Sequence, residues 1–265
     1  AMFHSLISTL DPNDLADTLE GFHITPNYLA DYQRSHSKAK DLKSKALKSN
    51  DLQANDLQAK DLQAKDSTNA THLDPTTEIE QRQYCSNFIA RRQSWAHVLE
   101  DAKASGQLQL RPIHGDPKIN NILIGQNGQA VSLIDLDTLK PGLIHYDIGD
   151  CLRSGCNRLG EETEDWQNVV FDIDLAKAIL RGYLSLASDF LTEPDYDYLY
   201  DSIRLLAFEL GLRFFTDYLA GNIYFKVKHR RHNLTRALVQ FKLTESIEQQ
   251  ADQLKGIIQE LRANT

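Results

Sequence analysis

No glycine stands between Gly21 and Gly106, so no glycine-rich loop that wraps a phosphate lies between them. The first 110 residues also lack the alternating apolar and polar pattern of half-buried strands. Cysteine is scarce: Cys85, Cys151 and Cys156 form no CxxC pair, and three thiols make a disulfide framework an unsuitable reading. Reduced thiols and the lack of a basic segment followed by an apolar stretch at the start give a cytoplasmic expectation. No apolar run reaches the roughly 18 residues that span a bilayer. Positive charge is in deficit, with 29 basic against 37 acidic residues and a net charge of -8. That balance excludes the usual footprint of a nucleic-acid or anionic-membrane binder.

What is present is mostly helical. Phe3 to about Asp41 has a helical pattern broken at DPND and TPN, and 76–104 reads as one amphipathic helix stopped near Gly106. Helical patterns return at 168–187, 197–220 and 234–262, with Gly221-Asn222 as the stop of the second. Between the first two helical stretches a five-residue repeat, DLKSK to DLQAK, runs from Asp41 to Lys65 with Leu42, Leu47, Leu52, Leu57 and Leu62 in register. Five residues advance a helix by about 140° beyond a full turn, so these leucines share no face and cannot line a core. The repeat reads as a tolerated surface insertion. Three segments are therefore expected: a helical linking segment over 1–40, the repeat insertion over 41–72, and the main domain over 73–265.

Inside that domain the character changes once. Asn121 to Ile124 and Ala130 to Leu136 are β-prone runs separated by GQNGQ, whose Asn127-Gly128 pair signals a hairpin. The stretch IHGDPKINNIL enters the first of these runs and LIDLD leaves the second. In an antiparallel pair the start of one strand lies beside the end of the other, so Asp116 and Asn121 are expected near Asp135 and Asp137. Carboxylates converging with a carboxamide repel unless a cation bridges them, and an all-oxygen set of this kind suits Mg²⁺. Lys118 adds a positive charge two residues after Asp116. A free carboxylate, a lysine and a metal-binding pair are the parts of a phosphoryl-transfer site. Any one of these residues alone reads better as a polar turn, but the whole set at this spacing does not.

The pattern His114-x-Asp116-(x)4-Asn121, followed by a hairpin and Ile134-Asp135-Leu136-Asp137, resembles the aminoglycoside phosphotransferase and choline kinase branch of the protein-kinase-like fold. More narrowly, HGDPKINNIL, LIDLDTLKPGLIHYDIGDCLRSG and ELGLRFFTDYLAGNIYFKVKHRRHNLTRALVQFKL are similar to the N-acetylhexosamine 1-kinase group. The resemblance covers about 76–245 and the linking helices near the start. It implies a mainly α fold with a small β-hairpin (α+β), the C-terminal lobe of the protein-kinase-like fold, with the N-terminal nucleotide lobe absent. It implies Asp116 as catalytic base, Lys118 offsetting charge on the transferred phosphoryl, Asn121 and Asp135 holding Mg²⁺, ATP as co-substrate, and His114 as a packed support.

The same resemblance implies that Arg213 and Tyr224 contact a small-molecule sugar and that Asp137 touches substrate or metal water. Asp147 and Asp150 in YDIGD are read either as substrate contacts or as helix N-caps supporting the loop. Glu209, Arg213 and Asp217 fall at i, i+4 and i+8, which makes either an ion-pair ladder or a pocket wall. Two other readings stay open: a non-catalytic remnant that binds a sugar or a protein, and a metal-dependent phosphohydrolase. Apolar surface left by the absent lobe would favour a homodimer.

Overall fold

The computed structural model describes residues 1–49, 75–187 and 189–264, with side chains described outside 38–76. Leu52, Leu57 and Leu62 of the repeat lie outside the described residues. Two helices come first, α1 (Met2–Ile7) and α2 (Thr25–Ser49), with a 3₁₀ turn over Pro12–Asp14 between them. Pro26 lies in the first turn of α2, where its missing N–H breaks no helical bond. The backbone of α2 continues past residue 40 into the first two repeats.

One expected helix is two. α3 (Pro75–Arg92) and α4 (Val98–Ala104) are separated by a 3₁₀ turn at Gln93–Trp95. The bend seats the Trp95 ring 5.1 Å from Phe208 and under the Arg204 guanidinium, 4.3 Å from the ring centroid, and it buries Ala96. A straight helix would have to give up this aromatic and cation–π packing.

Four short strands follow: β1 (Arg111–Ile113), β2 (Ile122–Ile124), β3 (Ala130–Leu133) and β4 (Lys140–Gly142). The expected hairpin is β2 with β3, paired Ile122 to Leu133 and closed by Gly125–Gln129. Gly128 takes the left-handed conformation, and its N–H donates to the Gly125 carbonyl at 2.9 Å. The second ladder, β1 with β4, brackets the hairpin and was not expected.

The remaining helices are α5 (Ile144–Gly155), α6 (Ile173–Leu184), α7 (Glu193–Asp197), α8 (Leu199–Ala220), α9 (His232–Gln249) and α10 (Ala251–Arg262). Gly221 (φ 95°) and Asn222 (φ 61°) end α8 in left-handed backbone, as expected. The helix expected over 234–262 breaks at Gln250, whose Nε2 donates to the Phe171 carbonyl at 2.9 Å instead of facing solvent.

α8 is the axis of the molecule. Fifteen of its 22 residues are buried, so apolar residues surround it rather than forming one stripe. On one side Leu29, Tyr32, Phe88, Phe215 and Phe241 pack around it; on the other Ile148, Leu152, Leu180 and Ile203 join α5 and α6. α5 approaches it closely at Gly149, where an added Cβ would meet the Ser202 carbonyl at 2.7 Å. That approach places Asp147 and Asp150, two and one residues away, beside the loop entering β2. Among the described residues, no helix is long and apolar enough to cross a membrane.

Candidate active site

The loop between β1 and β2 is held from three sides. Asp147 on α5 is 2% exposed, and its Oδ2 accepts from the His114 N–H at 2.7 Å while its Oδ1 accepts from the Gly115 N–H at 2.8 Å. His4 of α1 donates to the same Oδ2 at 2.7 Å. Burial alone would raise the Asp147 pKa, but the His4 bond and the two loop N–H groups hold it below the usual carboxylate value. Thr138 closes the second side, its hydroxyl donating to the His114 carbonyl at 2.6 Å. Gly115 is required there: its φ is 87°, and an added Cβ would lie 2.6 Å from the Thr138 carbonyl oxygen. The His114 ring is fully buried, with Nε2 bonded to the Ile134 carbonyl at 3.0 Å and Nδ1 accepting from the Asp116 N–H at 3.2 Å.

The third side is His23, which stands in left-handed backbone (φ 66°) just ahead of α2. Its Nε2 donates to the Gly115 carbonyl at 2.8 Å, and its Nδ1 lies 2.9 Å from Glu209 Oε1 on α8. The Gly115 carbonyl and an ionised Glu209 are both acceptors, an arrangement that favours the imidazolium. Burial disfavours that charge, but the Glu209 carboxylate outweighs it and raises the pKa above 6.5. The linking segment is fixed in place by Lys140, whose buried Nζ donates to the Leu19 carbonyl at 2.8 Å and reaches Asp17.

Asp116 follows this held backbone and keeps a partly open carboxylate, ion-paired to Lys118. Asn121 donates from Nδ2 to the Asp116 main-chain carbonyl at 2.8 Å, and its main-chain carbonyl accepts from the Ile134 N–H at 2.9 Å. The open end of the hairpin therefore brings Asn121 against the residue preceding Asp135. Asp135 is exposed in left-handed backbone (φ 66°, ψ 56°) at the end of β3. Asp116 and Lys118 line a cleft of about 990 Å³ whose walls include Asp150, Arg153, Glu209, Arg213 and Tyr224.

A family model described as the phosphotransferase enzyme family matches residues 13–190, about two thirds of the chain. The chain belongs to this phosphotransferase family. The match runs from the linking segment through the loop and hairpin to α6, so it contains both halves of the site.

Within this phosphotransferase the expected residues divide. Asp116, Lys118, Arg213 and Tyr224 line one cleft. Asn121 and Asp135 are not among the residues lining it; they stand at the open end of the hairpin, where the Ile134 N–H bonds the Asn121 main-chain carbonyl. Asp137 is exposed outside the cleft, its carbonyl accepting from Thr18 at 3.1 Å. Asp147 is corrected: both oxygens are committed to the loop and His4, so it supports the loop and does not face an acceptor, and it caps the loop rather than its own helix. Of the two readings of the polar stripe on α8, the ladder does not form, and Glu209 and Arg213 line the cleft. Glu209 pairs with His23 and Thr25, the Arg213 guanidinium lies over Phe22, Tyr28 and Phe225, and Asp217 accepts from the N–H groups of Ile223, Tyr224 and Phe225. Those last bonds fix the segment that carries Tyr224.

His23, and the pairing it makes with Glu209, is what the sequence pattern missed. Their separation of 186 residues leaves no local signal. His23→Ala is expected to leave Glu209 buried without its cation, at a cost of about 3 kcal/mol. Because the folded pKa of His23 lies above 6.5, its contribution is complete below that value and is lost as pH rises through the folded pKa. Thermal melts from about pH 6 to 9 should show the wild type losing stability on the alkaline side and the variant losing less. Parallel curves would show that the pair does not titrate as described.

Among the described residues no three His, Cys, Asp or Glu side chains converge as a metal site, whereas Asn121 and Asp135 offer one amide and one carboxylate oxygen. That donor number suits Mg²⁺, which keeps water and phosphate oxygens in its shell.

Proposed function

We propose that the chain carries the acceptor side of an ATP-dependent phosphotransferase whose acceptor is a neutral sugar, of the N-acetylhexosamine 1-kinase type. The observation that carries this reading is the charge balance of the cleft. It is lined by five carboxylates (Asp116, Asp150, Glu161, Glu162, Glu209) against Lys118, three arginines and the His23 imidazolium. A polycationic aminoglycoside calls for a surplus of carboxylates, which this cleft lacks. A quaternary ammonium calls for open aromatic faces. Here Phe22, Phe214 and Phe225 already carry the guanidinium groups of Arg213 and Arg236, which leaves Tyr224 as a single open ring where a cage needs several. A ring of hydroxyls, each a donor and an acceptor, matches a wall of paired acids and bases.

In this reading Asp116 accepts the proton of the attacking hydroxyl, that oxygen bonds the γ-phosphorus, and the bond to the β-phosphate oxygen breaks to release ADP. Lys118, beside Asp116, sits where it can balance charge on the transferred group. Asn121 and Asp135 would hold Mg²⁺, which neutralises phosphate charge when bound. The hairpin also exposes Leu123, Ile124 and Val131 on the way from that end to its turn, apolar surface against which the nucleotide and whatever covers it would sit.

The test is to incubate the protein with Mg·ATP and, separately, N-acetylglucosamine, N-acetylgalactosamine, choline and an aminoglycoside. ADP release with an N-acetylhexosamine, and a sugar 1-phosphate in the mass spectrum, is the expected result. Release with choline or the aminoglycoside alone would overturn the acceptor class. Calorimetric sugar binding without ADP release would instead make the chain a binding module, and phosphate freed from a sugar phosphate would make it a hydrolase.

A further inference from the structure

One wall of the cleft is built around Arg153, which is buried on α5. Its Nε donates to Asp150 Oδ1 at 2.7 Å, and its Nη1 lies 3.3 Å from Glu161. Asp150 is only 6% exposed, yet its second oxygen, Oδ2, is buried without a hydrogen-bond partner. Asn157, 7% exposed and lining the same cleft, leaves its Oδ1 in the same state. Desolvated acceptors without donors are costly, and where they line a cleft they are matched to donors that a ligand brings. Arg153 clamps one edge of the Asp150 carboxylate, which fixes the direction of the other edge.

We propose that Asp150 and Asn157 form a specificity subsite that accepts hydrogen bonds from two non-reacting groups of the acceptor, hydroxyls or an acylamino N–H. Asp116 addresses the hydroxyl that reacts; Asp150 and Asn157 select the molecule that presents it. A site of this kind rejects an analogue lacking the matching hydroxyl far more strongly than an apolar pocket rejects a missing methylene, because the buried acceptors are then left bare. The proposal rests on the neutral-sugar reading, and its test separates the two.

The measurement is calorimetric binding of N-acetylglucosamine and its single-deoxy analogues to the full chain and to Asp150→Asn. Asparagine keeps the acceptor for Arg153 and turns the unpartnered edge into a donor. Wild-type binding that weakens about tenfold or more in Asp150→Asn, with at least one deoxy analogue equally weak on both proteins, is the expected result. Should the variant fold poorly, the analogue series on the wild type still decides: no single hydroxyl or the acylamino group mattering by more than about twofold would overturn the subsite. Unchanged affinity in Asp150→Asn overturns the subsite and leaves the sugar reading standing. No binding of any neutral sugar by the wild type overturns both.

Discussion

Replacing Asp116 by asparagine is expected to lower phosphoryl transfer by at least about a hundredfold, the usual contribution of a general base. The fold should tolerate the change. Asp116 is a quarter exposed at its side chain, and its partner Lys118 is more exposed still, so their ion pair contributes at most about 1 kcal/mol. The loop backbone is held by Asp147, Thr138 and His23 rather than by the Asp116 carboxylate. Loss of the proton acceptor should therefore appear in kcat, with the sugar KM within about threefold of wild type. Steady-state ADP release measured alongside a thermal melt separates the two effects. A variant with full turnover and an unchanged melt would remove Asp116 from the role of base.

The loop and the hairpin were legible because their signals are local. His114, Asp116 and Asn121 sit within eight residues, and a two-stranded ladder needs only a turn and two short runs. The mainly α architecture with its small β element was legible for the same reason, from helical periodicity and one β-prone break. β1 and β4 were not: Arg111-Pro112-Ile113 and Lys140-Pro141-Gly142 contain two prolines and a glycine in six residues and pair across the hairpin. Their strand character comes from tertiary contact, and proline is tolerated because every strand in such a ladder is an edge. The breaks at Gln93 and Gln250 escaped notice for a related reason, since Trp95 on Phe208 and Gln250 on Phe171 are contacts between distant segments. In Glu209, Arg213 and Asp217 the spacing showed that a polar stripe exists on α8. Which partner each side chain takes depends on the linking segment and on the loop after α8, and helical periodicity carries no trace of either.

The support beneath the loop gives the largest expected effect on stability. Asp147→Ala would strip the acceptor from the His114 and Gly115 N–H groups and from His4 at once, all of them buried. Leaving such donors without partners in the interior costs about 3–5 kcal/mol, a large share of the stability of a domain this size. Asparagine is no rescue, because its amide would set a donor against a backbone donor on one side. The acid limb of the stability curve tests the same carboxylate. With its folded pKa held below 3.8, Asp147 contributes fully above that value, and the contribution is lost as pH falls through the folded pKa. Acid unfolding of the wild type should therefore steepen below pH 3.8, while Asp147→Asn, already lacking that carboxylate, starts lower and falls less. Since His114 and Gly115 immediately precede Asp116, the variant should also lose turnover at temperatures where it is still folded. An Asp147→Asn protein with wild-type kcat and melting temperature would show that α5 does not hold the loop.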